Sequence, residues 1–526
     1  LLAVTCLVSA DAYGKDGNGC KFVIKVEAMM AGHEISPYIY GSNVIRGISH
    51  REKDLSTLVR LGGNRSTGFN WETNASNSGR DWHHGSDDYM AERVVEGSQG
   101  DVSGSVVATF VRNCIKRGQT PMVTIPICHY VAADKNGEVA PGDSSRWIKN
   151  IAAKSSPFSL LPDTTDRAVY ADECVNFLTD VAGGKGRIIY GLDNEPSLWH
   201  RTHPRLCPEQ ITCKEFMLRT INFARAIKKV DSEAIVAGFV SFGYTGFNTF
   251  NGASDWDSIK ATNGYDWFLD YFLDEISKTM DPDGHRAVDV LDIHWYPEAR
   301  GDKRIIDDDA DSPADRDARL QAPRSLWDST FKEKSWITSM PVYYLPLLPK
   351  VKASIDRYCP GLKLAFTEFK YGGDNDISGV IALADVLGLF GRNDIYAACH
   401  WSSTEAFCNA AYKLYLDYDG HGASFGSYAL ECRSSMPSAV GSVYASASDR
   451  DCSDIHMMLI NKSELEEISG YFVINSAASF DKALVYCVTG DSPEIKCANV
   501  SISSDNTFSY SLPPLSVAHI VATAMH

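Results

Sequence analysis

The stretch I-I-Y-G-L-D-N-E-P, residues 188–196, is the part of the sequence on which the interpretation of the fold rests. Its apolar half, residues 188–192, predicts a short strand that is buried on both faces, as strands of parallel sheets are. Asp193, Asn194 and Glu195 follow directly, so a carboxylate stands at the end of that strand. This carboxylate is either a catalytic group or a solvated residue of an ordinary turn. The stretch alone does not decide between the two.

Strand-like runs repeat on both sides of this stretch and alternate with segments of helical periodicity. One such segment has apolar residues at the spacing of a single helix face and ends at two glycines: Cys174, Phe177, Leu178 and Val181. Eight strands alternating with helices over roughly 370 residues predict an α/β fold, a (β/α)8 TIM barrel enlarged by loops. A doubly wound open sheet is the alternative. The predicted barrel strands are residues 38–42, 57–61, 121–127, 187–192, 234–239, 288–295, 363–369 and 394–401.

The pattern changes near residue 430. Short strands without intervening helices are predicted beyond it, at residues 455–460, 471–474, 483–488, 508–512 and 517–522, which is typical of a β-sandwich. The alternating segment 20–28 predicts one more strand that has no place in the barrel. We therefore predict an additional all-β sandwich domain built from both chain ends. The predicted boundaries are a signal-peptide remnant at 1–12, the first sandwich strands at 20–36, the barrel at 37–430 and the remaining sandwich at 431–526.

The composition restricts the class of partner. Hydrophobic residues at 44% and charged residues at 22% are typical of a globular protein. The formal net charge of -17 repels nucleic acid and anionic membranes, and favours a neutral or cationic partner. We expect a monomer that binds neither nucleic acid nor a membrane.

Several features are compatible with secretion. The first ten residues are apolar and lead into A-D-A at residues 10–12, which is similar to a signal-peptide cleavage site. N-glycosylation sequons are present at Asn64, Asn74, Asn461 and Asn499. We therefore expect a secreted, extracellular protein.

The 14 cysteines are scattered, without the paired spacing of a zinc site. In an oxidising compartment, two pairs are close enough in sequence to form local disulfides: Cys207 with Cys213, and Cys487 with Cys497. Other cysteines, such as Cys128, lie in strand-like runs, where a buried free thiol is expected.

Two glutamates follow predicted barrel strands. Catalytic residues of such barrels gather at the carboxyl ends of the strands, and Glu195 and Glu368 end the fourth and the seventh. Paired carboxylates among aromatic residues, without a cluster of metal ligands, fit glycoside hydrolysis, in which one acid is protonated and the other ionised. No G-x-S-x-G elbow, G-x-G-x-x-G pattern or P-loop competes with this interpretation.

Six segments, in order along most of the chain, resemble glycoside hydrolase family 44. They are GGNRSTGFNWETNASNSGRDW at 62–82, VTIPICHYVAADKNG at 123–137, LDNEP at 192–196, DVLDIHWYPEA at 289–299, TEFKYGG at 367–373 and AYKLYLDYDGHGASFG at 411–426. Together these motifs are specific, although each alone would not be.

The resemblance implies a retaining endo-β-1,4-glucanase, often active on xyloglucan, with a barrel and a β-sandwich formed from both termini. By motif, Glu195 would be the acid/base, Glu368 the nucleophile, and Asn194 would hydrogen-bond the sugar 2-hydroxyl. Lys370 departs from the family pattern, which often has Asn at this position. An endo-xylanase or mannanase on the same scaffold and a catalytically inactive carbohydrate-binding protein are the alternatives.

Further residues are predicted to support the two glutamates. Arg60 ends the second strand and could keep Glu368 ionised, or it could form a structural ion pair in the barrel wall. His294 and Tyr296 are two positions apart, so both are expected to face the site.

Aromatic residues and other acids complete the candidates. Asn64 is predicted to line the site, and Trp71, Trp295 and Trp401 are predicted either to stack on sugar rings or to belong to the core. Three competing acids rank below the two glutamates because neither the family pattern nor strand-end placement singles them out as strongly: Glu72, Glu298 and Glu405.

The acidic run DDDADSPADRD at residues 307–317 interrupts the connection between the sixth and seventh strands. Such runs are usually solvated loops. A structural calcium ion is a second interpretation, because oxygen ligands are abundant, although the spacing matches no EF-hand loop. We predict no required cofactor, no catalytic metal, and a polysaccharide partner, β-1,4-glucan or xyloglucan.

Overall fold

The computed structural model describes residues 21–43, 54–95, 100–159, 161–281, 284–340, 344–401 and 406–525. The predicted signal-peptide remnant at 1–12 and the competing acid Glu405 lie outside the described residues. The chain divides into two compact units. One comprises Leu1–Ile35, Gly373–Asp394 and Glu405–His526, and the other comprises Ser36–Gly372 and Ile395–Thr404. Residues 373–394 and 405–430, which the sequence assigned to the barrel, therefore belong to the first of these units.

The described residues form 23 strands. In chain order they are β1 (Phe22–Glu27), β2 (Gly41–Asn43), β3 (Leu58–Leu61), β4 (Ser76–Asn77), β5 (Gly85–Asp87), β6 (Thr120–Ile125), β7 (Tyr130–Ala132), β8 (Gly137–Glu138), β9 (Trp147–Ile151), β10 (Ala168–Tyr170), β11 (Ile189–Leu192), β12 (Ile235–Ser241), β13 (Val290–Trp295), β14 (Lys363–Phe369), β15 (Ala397–His400), β16 (Tyr428–Ser434), β17 (Gly441–Ala447), β18 (Asp454–Asn461), β19 (Ile468–Asn475), β20 (Phe480–Thr489), β21 (Ser492–Ser501), β22 (Thr507–Leu512) and β23 (Ser516–Ala524).

The same residues form 13 α-helices, none of which is long and apolar enough to cross a membrane. They are α1 (Asn64–Thr67), α2 (Tyr89–Val94), α3 (Ser105–Lys116), α4 (Ala171–Ala182), α5 (Trp199–Thr202), α6 (Cys213–Val230), α7 (Gly243–Thr249), α8 (Trp256–Asn263), α9 (Phe268–Ser277), α10 (Pro313–Gln321), α11 (Leu347–Tyr358), α12 (Ile377–Arg392) and α13 (Ala406–Leu416). The helix predicted around Cys174 is α4, and it ends at Gly183 in the left-handed conformation that glycine favours.

Eight parallel strands close into a barrel in the second unit. Their order around the barrel, β2-β3-β6-β11-β12-β13-β14-β15, is their order along the chain. Each coincides with a strand predicted from sequence, so the (β/α)8 prediction is confirmed and the open sheet is excluded. Apolar side chains from seven of these strands form one buried cluster: Leu58, Met122, Ile189, Ala237, Val290, Ala365, Ala397 and Cys399.

In three barrel strands, a polar residue lies two positions after a residue of the apolar cluster. Arg60 follows Leu58 at this spacing, Asp292 follows Val290, and Thr367 follows Ala365, and all three polar residues are buried. Because side chains alternate along a strand, a residue and the one two places on share a face. A polar layer therefore lies above the apolar cluster, toward the carboxyl ends of the strands.

The other unit contains a nine-stranded sheet in the order β21-β20-β23-β18-β17-β16-β1-β19-β22. Residues from both halves of this sheet share one core, with Ile24 and Phe472 from one half and Met457 and Ile520 from the other. The sheet thus forms the predicted sandwich, and β1 brings the amino-terminal part of the chain into it by pairing with β16 and β19. Strands β16, β17 and β21 were not predicted, because small or polar residues dominate β17 and β21 and obscure the alternation.

The first barrel strand, predicted at residues 38–42, overlaps the observed strand only at its carboxyl-terminal end. Pro37–Tyr40 form a 3-10 helix, and strand β2 begins only at Gly41. Ser36 caps this helix by accepting a hydrogen bond from the Tyr38 N–H, and Pro37 at the first position favours the helical turn.

The predicted disulfides are wrong, because Cys207, Cys213, Cys487 and Cys497 are all free thiols. In the β20–β21 pair, Cys497 lies opposite Tyr486 rather than Cys487. Successive side chains point to opposite faces of a sheet, so the thiols of Cys487 and Cys497 face apart.

The acidic run is partly explained by local contacts. Asp315 and Ser312 form a reciprocal capping box at the start of α10. The Asp309 carboxylate lies 2.6 Å from Lys303 Nζ. A calcium ion in this segment stays a prediction.

Candidate active site

An irregularity in strand pairing orients Glu368 at the end of β14. Asp292 pairs with Ala365, whereas His294, two residues on, pairs with Glu368, so β14 carries one extra residue at this point. Such a bulge re-aims side chains. Thr367 and Glu368 are sequence neighbours, yet both are buried, and both contact groups of β13 or the residue after it.

Glu195 lies in a tight turn after β11. Its backbone is left-handed, with φ of 44°, and its N–H donates to the Val240 carbonyl at 3.0 Å. Pro196 then begins a short 3-10 helix, Pro196–Leu198. A left-handed residue other than glycine or asparagine is uncommon, and such backbone strain is found most often at functional sites.

The Asp193 carboxylate stabilises this turn by accepting hydrogen bonds from several residues around it. It is fully buried and accepts hydrogen bonds from the Thr67 hydroxyl at 2.6 Å, Trp199 Nε1 at 3.0 Å and the Cys128 N–H at 3.0 Å. It also accepts from the N–H of Asn194 at 2.8 Å. Asp193 is therefore a structural residue that fixes the direction in which the two following side chains point.

Arg60 connects three residues that end different barrel strands. Its Nη1 donates to Glu368 Oε1 at 2.7 Å and to Asn43 Oδ1 at 3.0 Å, and its Nη2 donates to Asn194 Oδ1 at 2.8 Å. The side chain is fully buried, so these charge-assisted bonds are only weakly screened. Gly62 leaves the space for it, because a Cβ there would lie 2.3 Å from Arg60 Cζ.

His294 and Tyr296 both reach the two glutamates. His294 Nδ1 lies 2.9 Å from Glu195 Oε1 and 3.6 Å from Glu368 Oε2. The Tyr296 hydroxyl donates to Glu368 Oε2 at 2.7 Å. One side-chain oxygen of each glutamate and a His294 ring nitrogen all lie within 4.8 Å of one another.

The two glutamates have opposite protonation tendencies. Burial raises the pKa of Glu195, and the hydrogen bond and charge of His294 offset only part of that effect. Burial acts on Glu368 as well, but the positive charges of His294 and Arg60 outweigh it, and the pKa of Glu368 is lowered. The site thus pairs a carboxyl that tends to hold a proton with a carboxylate that tends to remain ionised.

A sequence model of glycoside hydrolase family 44 matches residues 75–299. Endoglucanase A from Paenibacillus lautus is 41% identical over 515 residues, which cover 96% of this chain and 72% of that protein. The chain belongs to glycoside hydrolase family 44. It is therefore a glycoside hydrolase, and the alternative of an inactive binding protein is set aside.

Solved structures of family 44 agree with this assignment. A Paenibacillus polymyxa xyloglucanase, determined with xyloglucan, is 40% identical, has a TM-score of 0.90 and covers 96% of this chain and 100% of its own. A Clostridium thermocellum endoglucanase of the family is also 40% identical, with a TM-score of 0.90, and covers 95% of this chain and 99% of its own.

In this family 44 chain, Asn64 contacts Asn194, the residue before Glu195, and Trp401 directly follows strand β15. Asn64 Oδ1 accepts from Asn194 Nδ2 at 3.2 Å, and its Nδ2 donates to the Asp81 carboxylate. The Trp401 indole lies against Gly63, where a Cβ would approach it to 2.9 Å, and it is partly exposed. Both residues are positioned as predicted for contact with a sugar, a role that stays a prediction.

Trp71 and Trp295 are not brought to the site. Trp71 is 4% exposed and packs against Phe177, and Trp295 is 1% exposed and stacks on Phe247. A buried indole has no free face for a sugar ring, so the predicted substrate contact of Trp71 is wrong. Both tryptophans belong to the core.

Two of the competing acids, Glu72 and Glu298, lie within the described residues, and both interact with other groups. Glu298 pairs with Arg304 at 2.7 Å. Glu72 is 1% exposed, and the charges that act on it are those of Lys154, Asp163, Asp166 and Glu173. Neither acid has a hydrogen bond or ion pair with Glu195 or Glu368 among the contacts of the described residues.

Sequence reasoning missed three buried polar residues that support the site: Asn43, Asp292 and Thr367. Asn43 Nδ2 donates to the carbonyl oxygens of Thr367 and Cys399 and thereby joins neighbouring strands. The Thr367 hydroxyl donates to the Asp292 carboxylate at 2.8 Å. Each is a polar residue in or at the end of a barrel strand, and that placement was the signal that could have identified it.

The compact group of Glu195, His294 and Glu368 also raises the question of a metal. Both oxygens of Glu368 already accept hydrogen bonds, from the Arg60 guanidinium and the Tyr296 hydroxyl. The positive charge of a guanidinium at 2.7 Å disfavours a cation at this carboxylate. These contacts favour a pair of organic acids rather than a metal centre.

Proposed function

We propose that this enzyme is a secreted retaining endo-β-1,4-glucanase that hydrolyses cellulose-type β-glucan or xyloglucan by double displacement. The observation that carries the mechanism is the closeness of the two catalytic glutamates, which have side-chain oxygens within 4.8 Å of each other. Retaining glycosidases have carboxyl groups ~5 Å apart, whereas inverting ones leave ~6.5 to 9.5 Å for a water molecule.

In the first step, Glu368 attacks the anomeric carbon while Glu195 gives its proton to the departing glycosidic oxygen. A covalent glycosyl ester forms on Glu368, and Glu195 becomes ionised. In the second step, Glu195 takes a proton from water, which attacks the anomeric carbon and releases Glu368. Arg60 and Tyr296 hold the nucleophile by one oxygen each, and Asn194, held by Arg60, is placed to contact the sugar 2-hydroxyl.

The mechanism is tested by trapping the intermediate. A 2-fluoro cellobioside with an activated leaving group should label Glu368, which mass spectrometry of the digested protein would locate. The Glu368→Ala variant should be inactive, and azide should restore turnover as the inverted glycosyl azide. Ordinary hydrolysis by that variant, or labelling of another residue, would contradict the assignment.

The substrate proposal is supported by the relatives, which include a xyloglucanase and endoglucanases. A mannan- or xylan-degrading activity is the second candidate. A 39% identical Caldicellulosiruptor saccharolyticus protein is called β-mannanase/endoglucanase A, although the chain covers only 38% of it, and a 26% identical structure is that of a bifunctional glucanase-xylanase. Product release from xyloglucan, carboxymethyl cellulose, xylan and mannan, measured in parallel, distinguishes the candidates.

Secretion, a monomeric state and independence of metal are parts of the same proposal. The apolar start of the chain supports secretion, and the hydrogen bonds to both oxygens of Glu368 support hydrolysis without a catalytic metal. Amino-terminal sequencing of protein recovered from culture medium tests the first. Light scattering tests the monomeric state. Activity and melting temperature, measured after chelation, test the independence of metal. A lower melting temperature with unchanged kcat would indicate structural calcium.

A further inference from the structure

His294 is surrounded by charged and titratable groups from four parts of the barrel. Glu195 and Glu368 face its Nδ1, and both lie within 3.6 Å of it. Arg60 contacts Glu368 Oε1, and the Tyr296 hydroxyl contacts Oε2, the oxygen that also faces His294. The imidazole is fully buried, so its protonation state is decided by these neighbours and by the groups behind its second nitrogen.

The second nitrogen of His294 faces the Thr367 hydroxyl. Nε2 lies 3.4 Å from Thr367 Oγ1, and that hydroxyl lies 2.8 Å from both oxygens of Asp292. A hydroxyl has one proton, and a carboxylate has none to give, so the Thr367 proton points to Asp292. The hydroxyl oxygen can then only accept from His294, which requires a proton on Nε2.

The first nitrogen of His294 faces Glu195 Oε1 at 2.9 Å. If Nε2 carries the only ring proton, the lone pair of Nδ1 faces Glu195, and this contact becomes repulsive as soon as Glu195 is ionised. A proton on both ring nitrogens lets Nδ1 donate to Glu195 whether that carboxyl is protonated or ionised.

We propose that His294 remains an imidazolium throughout the catalytic cycle, and that Asp292, acting through the Thr367 hydroxyl, is the positioning residue that keeps it charged. The proposal rests on the assigned roles of Glu195 and Glu368. Before the reaction, the charges of Arg60 and His294 balance those of Glu368 and Asp292, and Glu195 is neutral.

Glycosylation moves one negative charge across His294. The bond from Glu368 to the anomeric carbon forms, the bond to the glycosidic oxygen breaks, and the proton of Glu195 passes to that oxygen. Glu368 becomes a neutral ester as Glu195 becomes an anion. Because His294 Nδ1 lies between the two carboxyl groups, an imidazolium there always has one anionic partner, and the net charge of the buried group does not change.

The direction of the titration supports this geometry. Burial alone would lower the pKa of His294, but the negative charges of Glu368 and Glu195 outweigh burial and raise it. Burial raises the pKa of Asp292, and the positive charges of His294 and Arg60 act against that effect. The experiment should therefore remove the charge of Asp292 and measure the protonation of His294.

The test is nitrogen NMR of the full chain labelled with ¹⁵N in its histidine rings, with the His294 signals identified by their loss in His294→Gln. In the wild type and in Thr367→Ser, both ring nitrogens should stay protonated from about pH 5 to about pH 8. Asp292→Asn keeps the hydrogen-bond acceptor and removes the charge, and Thr367→Val removes the acceptor for Nε2. In both variants His294 should become neutral within that range.

Three outcomes would overturn the proposal. They are a neutral His294 in the wild type at about pH 6, an unchanged titration in Asp292→Asn, and loss of the imidazolium signals when the 2-fluoro glycosyl-enzyme is formed. Folding of each variant is checked by its melting temperature, and Thr367→Ser provides the conservative rescue. If no glycosyl-enzyme forms, the proposed function fails, while the titration of the free enzyme still tests the charge of His294.

Discussion

Glu72 and Glu195 are both glutamates whose pKa is raised by burial, and for Glu72 it reaches about 8. The two side chains differ in how accessible they are to solvent. Glu72 is 1% exposed, and its Oε1 has no hydrogen-bond partner among the described residues, whereas the side chain of Glu195 is 12% exposed and shares His294 with Glu368. A raised pKa therefore identifies a buried carboxyl, while access and an ionised partner identify a catalytic acid.

The two regions also differ in their cations, which are Lys154 near Glu72 and Arg60 near Glu195. Lys154 Nζ lies 2.9 Å from Glu173, 3.2 Å from Asp166 and 3.5 Å from Asp163, so one point charge serves several acids. The negative charges of Asp166 and Glu173 then add to burial in keeping Glu72 protonated. Around Glu368, by contrast, the planar fork of Arg60 contacts one carboxylate and two amides, and its positive charge helps to lower the pKa of Glu368.

The comparison is tested most directly at the two acids that these cations contact, Glu368 beside Arg60 and Glu173 beside Lys154. Glu368→Gln should lower kcat on the order of 10⁶-fold, because a covalent nucleophile has no substitute. Glu173→Gln, its counterpart beside Lys154, should lower the melting temperature and leave kcat of the folded enzyme unchanged. Steady-state kinetics on xyloglucan and thermal unfolding measure the two effects. A large loss of kcat in folded Glu173→Gln would end the distinction between the two regions.

The two glutamates whose pKa is raised, Glu195 and Glu72, make the second pair. Glu195→Gln should lower kcat/KM on polysaccharide by about 10²- to 10⁴-fold, the usual contribution of a general acid. The loss should be much smaller on a dinitrophenyl cellobioside, whose leaving group needs no proton. Glu72→Gln should leave both values unchanged. Equal losses of Glu195→Gln on both substrates would argue against its role as the acid.

Tyr296→Phe should have a smaller effect, about 10- to 100-fold on kcat, because it removes one hydrogen bond to a charged group. That bond helps to lower the pKa of Glu368. Without it the pKa rises, so the acidic limb of the kcat/KM profile should move to higher pH. The profile of the wild type is the reference, and an unmoved acidic limb would show that the hydroxyl does not act on the nucleophile.

The smallest effect on activity is expected from Glu72→Gln, whose consequence is for stability. The pKa of Glu72 in the folded state, about 8, lies above its ordinary value of 4.5, so the folded state holds the proton more tightly. The stability this provides is complete below pH 4.5 and is lost as pH rises through 8. Because glutamine mimics the neutral acid, the variant should lose less stability than the wild type over that range. Urea unfolding at both ends of the range measures the difference, and parallel losses would refute the protonated state of Glu72.

The sequence by itself determined the barrel, and it predicted that two glutamates end barrel strands on one face. Alternation of strands and helices is a local property, and a carboxylate at a strand end is visible without contacts, as Glu195 and Glu368 show. The family motifs then joined these positions into one site.

Only the tertiary structure decided which of the remaining candidates reach the site. The extra residue in β14 lets Thr367 and Glu368 both face partners on β13, which strict alternation would forbid. Trp71 is in the core, and Cys487 and Cys497 face apart, because packing and register between strands set these contacts. Register joins residues far apart in the chain, such as Asn43 and Thr367, and no local pattern of residues records it.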